Sequence, residues 1–224
     1  MRAKTRIWEV LAVVGSLAIL SGCASEELKA RNLQLSTEVG NLQERSQQLE
    51  ADLALLQREN ENLRGQLSAS SLESGRLKGD LNKLRQKLGP AGLEVEEREG
   101  LPAVILPEKV LFESGKADLT ASGKTALSKL ANVIKSDFPD STIRVDGHTD
   151  SDSIQKTKKL WKSNWELGSA RALTVLHYLE DHGISPKRLH ASTYSLHRPL
   201  VPNTSAANKQ KNRRVEVVIL PGSK

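Results

Sequence analysis

The sequence has few aromatic residues, one cysteine and no long hydrophobic run. Phe, Trp and Tyr make up 3% of the 224 residues, and hydrophobic residues of all kinds make up 38%. This is too little bulky apolar material for one large core, and it indicates a chain that is part globular and part elongated helix. With one cysteine, the chain forms no internal disulfide.

The positive charge is modest and unevenly distributed. The formal net charge is +6, of which residues 1–22 carry +2, while residues 23–88 carry ten basic and ten acidic side chains. The remaining +4 lies after residue 88. A basic balance suits nucleic acid or an anionic surface in the cell envelope. Because no nucleic-acid motif and no interleaving of aromatic and basic residues occurs, we expect no nucleic-acid partner.

The longest apolar run near the N-terminus is Val10–Leu20, which is eleven residues. It is too short to cross a hydrocarbon layer of roughly 30 Å. Basic residues precede it and small residues follow it, which is typical of a secretory signal. An ordinary cleaved signal followed by a chance cysteine would explain this much.

The end of the signal is more specific. The segment Leu20-Ser21-Gly22-Cys23 resembles the lipobox of bacterial lipoproteins. The resemblance implies removal of residues 1–22 and lipidation of Cys23, and several acyl chains give stable membrane anchoring. Ala24 follows the cysteine, where the sorting rules of such lipoproteins disfavour aspartate for outer-membrane delivery. We therefore expect an outer-membrane lipoprotein with its protein part in the periplasm.

Residues 23–88 carry a sustained heptad pattern. Leucines recur every seven residues, with one interruption at Ser70, at positions 28, 35, 42, 49, 56, 63, 77 and 84. If these are d positions, Asn32 and Asn60 are among the a positions, where asparagine favours a parallel dimer in one register. About 60 such residues would form a rod of roughly 90 Å. A single amphipathic helix lying on a globular core is the alternative, but it would rarely run this long.

The charges beside the seam fit a parallel homodimer through residues 26–88. In that arrangement each g residue faces the e residue five positions further on in the partner. All four charged pairs formed this way are attractive: Arg45–Glu50, Glu59–Arg64, Glu73–Lys78 and Asp80–Arg85. The small residues at 68–76 weaken the seam locally.

The cluster Gly89-Pro90-Ala91-Gly92 ends the long helix. Residues 89–100 are predicted to be a linker and a first strand, and residues 101–224 a globular domain. In that domain Thr120 and Ser163 are predicted helix N-caps, the latter in a capping box with Glu166. Strands are predicted at 93–97, 103–106, 142–147, 189–194 and 214–220. Strands alternating with helices indicate an α/β or α+β sandwich.

The stretch RVDGHTD, Arg144–Asp150, ends a predicted strand on a polar turn. Taken alone, Asp150 could close an Asx turn, and Arg171 could be a solvated helix residue. His148 and Asp150 have no third ligand at a useful spacing, so we expect no metal. No arrangement of nucleophile and base is visible, so we expect no catalysis and no cofactor.

Four segments, in order and at compatible spacing, are similar to the motifs of OmpA-like peptidoglycan-binding domains. They are Val110-Leu111-Phe112-Glu113-Ser114-Gly115, Gly147-His148-Thr149-Asp150, Asn164-Trp165-Glu166-Leu167 with Arg171-Ala172, and Asn212-Arg213-Arg214-Val215-Glu216. The segment Ser163–Leu167 and the lysine-rich loop before it most resemble the MotB-like branch of the flagellar stator. The resemblance implies an α+β fold in which a mixed sheet packs on helices, here preceded by the long coiled-coil helix.

The same resemblance implies a site for diaminopimelate, a residue of the peptidoglycan stem peptide. Asp150 would hold its ammonium and Arg171 its carboxylate, with Thr149, Asn164 and Arg213 beside them. A carboxylate and a guanidinium held apart suit an ammonium–carboxylate pair chemically. We expect Asp150 and Arg171 to open onto one pocket.

Two departures from the family pattern bear on the rim of the site. Gly168 stands where the family usually has serine, and we expect it to leave helix backbone open to a ligand between Asn164 and Arg171. Thr193-Tyr194-Ser195-Leu196 replaces the common Gly-Tyr-Gly-Glu.

The sequence thus predicts a lipid-anchored protein that tethers the outer membrane to peptidoglycan. One alternative is a stator-like part of an ion-driven machine, and another is an assembly protein that anchors a complex to the wall. The first would need a retained transmembrane helix with an ionisable residue, and Val10–Leu20 has none.

Overall fold

The computed structural model describes residues 2–113, 115–155 and 157–222, with side chains described from residue 25 onward. The predicted signal peptide (1–22) and lipidation site (Cys23) therefore lie outside the described side chains. Among the helices described, none is both long enough and apolar enough to span a bilayer.

The first helix, α1, spans Arg2–Leu88. The chain divides into two units, one ending at Ala69 and one beginning at Ser70. In the first unit, the heptad side chains from Leu28 to Leu67 are 50–72% exposed, so this chain itself does not cover them. The parallel homodimer stays a prediction.

The C-terminal end of α1 differs from the expected stalk. Leu81, Leu84 and Leu88 are 6%, 0% and 0% exposed and belong to the main buried cluster of the globular unit. The chain turns back directly after them, through a 3₁₀ turn and Gly92 at φ 73°. Arg85 then donates from Nε to the carbonyl of Val95 at 3.2 Å. The heptad pattern over residues 23–88 predicts that these leucines lie in the coiled-coil seam, but they are part of the domain core.

A five-stranded mixed sheet forms the centre of the second unit. Its spatial order is β1-β2-β5-β3-β4, with β3 and β4 parallel and all other neighbours antiparallel. The strands are β1 Glu94–Arg98, β2 Leu101–Pro107, β3 Thr142–His148, β4 Leu189–Ser195 and β5 Arg214–Leu220. β1 is paired along its whole length with β2, so the predicted domain start at residue 101 is wrong: the domain includes β1 and the end of α1.

Along the strands of the sheet, apolar side chains alternate with polar ones, as expected when one face of the sheet packs against helices. Val145, Val217 and Val104 are fully buried on the face that joins the main core, while Asp146 and Glu216 lie on the other face. The remaining helices are α2 Glu108–Leu111, α3 Ala121–Asp137, α4 Asn164–Asp181 and α5 Ala206–Asn212.

The two predicted helix starts are confirmed. The Thr120 hydroxyl accepts from the amide of Gly123 at 2.9 Å, and the Ser163 hydroxyl accepts from Trp165 at 3.2 Å and donates to Glu166. Each side chain satisfies an amide that the first helical turn leaves free. Helices packed on a mixed sheet, after a long N-terminal helix, confirm the predicted α+β class.

Candidate ligand-binding site

Asp150 lies just beyond β3, where that strand shifts register against β4. The amide of Thr149 donates to the carbonyl of Ser195 at 2.9 Å, which fixes the turn to β4. Asp150 is 5% exposed, and its Oδ1 accepts from the amide of Asp152 at 3.0 Å. The Asx turn is therefore present, and it leaves Oδ2 free to face the other side chains of the site.

Asn164 and Thr149 both bond the backbone of this turn. The Asn164 amide nitrogen donates to the carbonyls of Asp150 at 3.3 Å and Asp152 at 2.9 Å. Thr149 donates from Oγ1 to the Asp150 carbonyl at 3.2 Å. The first residue of α4 thus joins that helix to the end of β3.

Arg171, two turns further along α4, is 2% exposed. Its Nε donates to the carbonyl of Lys116 at 3.1 Å, and its guanidinium lies 5.3 Å from the ring centre of Phe112. These contacts hold the guanidinium plane in one orientation and leave its Nη atoms for a partner.

All five residues predicted for the site border one open cavity of about 980 Å³. The expectation that Asp150 and Arg171 open onto a common pocket is confirmed. That these side chains bind peptidoglycan stays a prediction. The remaining lining includes Leu167, Gln155, Lys109 and Gln210.

A chain of ion pairs crosses this cavity. Arg213 pairs with Asp150 on one side and, from Nε at 2.6 Å, with Glu108 on the other. Glu108 also pairs with Arg171. Sequence reasoning missed Glu108, which lies two residues before the predicted motif that begins at Val110. No local pattern in the sequence connects Glu108 with Arg171 or Arg213, which are far away along the chain.

Burial lowers the pKa of each arginine of the site and the neighbouring carboxylates raise it, and the larger effect differs between the two arginines. Burial lowers the pKa of Arg171 from its usual value, and Glu108 only partly offsets this. Burial also acts to lower the pKa of Arg213, but its pairing with Asp150 and Glu108 raises that pKa overall. Both guanidiniums stay charged near neutral pH, because an arginine starts from a very high pKa.

The interpretation of Gly168 as open helix backbone is wrong. A Cβ at this position would overlap Oγ1 of Thr193 on β4, so the glycine faces the sheet. The cavity-facing residues of α4 are instead Asn164, Leu167 and Arg171, at i, i+3 and i+7. Gly168 lets the helix approach β3 and β4 closely.

His148 belongs to a second polar cluster on the opposite face of the sheet. It is 3% exposed and lies 3.9 Å from Glu216, which pairs with Arg214 at 2.6 Å. Burial, and then Arg214, lower the pKa of His148 to about 4. Over the part of the chain that the structure describes, no three His, Cys, Asp or Glu side chains come together as a metal site.

Residues 111–213 match the OmpA family. The matched span begins at the end of α2 and ends at Arg213, which pairs with both Asp150 and Glu108. This segment is an OmpA-family domain. The match covers the second and third motifs completely, the first motif except for Val110, and the first two residues of the fourth.

Several curated proteins and solved structures are similar to this chain. The probable lipoprotein YiaD of Escherichia coli K12 is 30% identical over 139 residues, which is 62% of this chain and 60% of YiaD. A crystal structure of a MotB-like protein from Desulfovibrio vulgaris superimposes with a TM-score of 0.63 at 28% identity, covering 69% of this chain and 96% of that one. The structure of the cell wall anchor of the T6SS from Pseudomonas aeruginosa superimposes with a TM-score of 0.55 at 26% identity, covering 62% of this chain and 95% of that one. The chain spans about half the length of the curated relatives it matches.

Proposed function

We propose that this protein tethers the outer membrane to peptidoglycan non-covalently, by holding diaminopimelate of the stem peptide. The observation that carries the proposal is that Asp150 and Arg171 border one cavity of an OmpA-family domain. The three supporting residues, Thr149, Asn164 and Arg213, border the same cavity.

The chemistry of the cavity suits the ammonium–carboxylate end of diaminopimelate. The ammonium binds Asp150, whose two oxygens can accept more bonds than they now hold. The carboxylate takes the Nη atoms of Arg171, which form a planar fork. Both charges are almost fully buried, so water weakens these bonds little.

The membrane end of the tether is a lipid on Cys23. The lipobox at Leu20–Cys23 supports this, and so does the likeness to YiaD, a probable lipoprotein. In this proposal the periplasmic domain is held at the outer membrane, and no reaction is catalysed.

Two chains would act together through the exposed heptad face of α1. The attractive pairs Arg45–Glu50 and Glu59–Arg64 lie in the unit ending at Ala69, where the heptad leucines are exposed. Two linked wall sites gain about 10²–10⁴ in avidity when both can engage.

The alternative is a component that anchors an envelope machine to the wall. The likeness to the T6SS cell wall anchor and to the MotB-like protein favours it. Metabolic labelling with a radioactive fatty acid separates the two, because a stator-like subunit stays unlabelled and a tether is labelled only while Cys23 is present. A labelled chain that also co-purifies with a multiprotein complex would favour the machine anchor.

A pull-down on purified sacculi tests the wall site. We expect Asp150→Asn and Arg171→Lys each to weaken binding by roughly ten- to a hundred-fold, because each loses a charge-assisted bond or its fork geometry. Asp140→Asn, an exposed aspartate outside the cavity, is the matched control. Free diaminopimelate should release the parent protein. Undiminished binding by folded Asp150→Asn and Arg171→Lys proteins would refute the assignment.

A further inference from the structure

One carboxylate of the chain itself already holds both arginines of the site. Glu108 accepts from Nη2 of Arg171 through Oε1 and from Nε of Arg213 through Oε2, the latter at 2.6 Å. Each oxygen of Glu108 therefore serves a different guanidinium. Glu108 thus occupies a guanidinium nitrogen of Arg171 that the ligand carboxylate would need.

The backbone of Glu108 is held in place, and its side chain is the part that can move. Its amide donates to the carbonyl of Arg213 at 3.0 Å, and its carbonyl accepts from Phe112 at 2.8 Å. The side chain is 15% exposed at the edge of the cavity, whereas that of Arg171 is 2% exposed. A rotation of the Glu108 side chain would free Arg171 without unfolding α2.

The charges of the site are balanced before any ligand arrives. Asp150, Arg213, Glu108 and Arg171 alternate in sign along the ion-pair chain and sum to zero. A ligand carboxylate that approaches Arg171 meets a second carboxylate at the same guanidinium. Two such charges repel strongly where burial keeps water away.

We propose that Glu108 is an internal competitor for the ligand carboxylate and sets the affinity of the site for diaminopimelate. This inference rests on the proposed function and adds a specificity-determining residue to it. Glu108 pairs directly with Arg171 and is linked to the ammonium subsite at Asp150 only through Arg213. Its main effect therefore falls on ligands that carry a carboxylate beside the ammonium. A stem peptide with lysine in place of diaminopimelate keeps that ammonium and lacks the adjacent carboxylate.

Calorimetry with two soluble stem tripeptides, one containing meso-diaminopimelate and one containing lysine, tests the proposal on the full chain. Glu108→Gln keeps the size of the side chain and removes its charge. We expect it to bind the diaminopimelate peptide roughly tenfold more tightly than the parent, and the lysine peptide within about twofold of the parent. Glu94→Gln, at an exposed position of β1, is the matched control.

Two results would overturn the role of Glu108. One is unchanged or weaker binding of the diaminopimelate peptide by folded Glu108→Gln, which would make Glu108 a support for the arginines. The other is an equal gain for both peptides, which would indicate a general charge effect. Failure of the proposed function gives a different result: the diaminopimelate peptide would bind Asp150→Asn as tightly as the parent.

Discussion

Gly147 on β3 and Gly168 on α4 lie against each other. A Cβ at Gly147 would overlap the backbone carbonyl of Gly168, and a Cβ at Gly168 would overlap Oγ1 of Thr193. This close approach of helix and strand brings Arg171 on α4 and Asp150, beyond the end of β3, to one cavity.

Alanine at Gly168 should destabilise the domain by about 1–2 kcal/mol, because the gain in helix propensity does not offset the overlap with Thr193. In a Thr193→Ala background the overlap disappears, and Gly168→Ala should become neutral or slightly stabilising. Urea unfolding of the four proteins measures this coupling. Equal costs in both backgrounds would contradict the contact. Gly147→Ala should have no such rescue, since it meets backbone.

Ser195 has φ 51°, a left-handed conformation that favours glycine. A side chain in this conformation costs about 1–2 kcal/mol, and glycine avoids most of that cost while adding freedom to the unfolded chain. Ser195→Gly should therefore raise the free energy of unfolding by up to about 1 kcal/mol. Ser192→Gly, on the same strand, is the control and should lower it. A loss of stability in Ser195→Gly would mean that its buried hydroxyl matters more than its backbone.

Leu84 and Leu56 occupy the same heptad position but lie in different surroundings. Leu84 is 0% exposed in the domain core, and Leu56 is 58% exposed. Leu84→Ala should cost about 2–5 kcal/mol of domain stability. Leu56→Ala should leave the domain unchanged and weaken self-association, followed by sedimentation equilibrium. If Leu84→Ala dissociated the oligomer without destabilising the domain, the seam would extend to residue 88.

His148 makes the domain sensitive to acid. Its pKa in the folded protein is about 4, below the ordinary 6.5, so the unfolded chain takes up a proton first as the pH falls. Stability is therefore complete above about pH 6.5 and decreases from there to pH 4, by about 3 kcal/mol in total from this group. Urea midpoints at pH 7, 6, 5 and 4 should fall less steeply for His148→Gln. Parallel slopes would indicate that other groups dominate.

Much of the fold followed from local signals. The caps at Thr120 and Ser163, the glycine–proline break at 89–92 and the strand Arg214–Leu220 are set by neighbours in sequence, and the structure agrees. Boundaries that depend on tertiary packing did not follow. Leucines with heptad spacing look the same whether a partner helix or their own domain covers them, so Leu81, Leu84 and Leu88 were misassigned.

The candidate site divides in the same way. The resemblance of four motifs to OmpA-like domains was enough to select Asp150, Arg171, Thr149, Asn164 and Arg213, and the structure places all five at one cavity. Glu108 and the orientation of Gly168 were not predictable in this way. Their roles depend on which distant groups the fold brings within a few ångströms.

By itself, the sequence determined where the long helix α1 ends, where α3 and α4 begin, and which charged side chains lie near the end of β3. Hydrogen bonding and steric preferences between close neighbours in the chain are enough for that. Only the tertiary structure decided that one acid of the chain occupies both arginines, and that the last heptad leucines are buried in the domain. Those outcomes depend on long-range packing, in which residues far apart in sequence compete for the same space and the same charge.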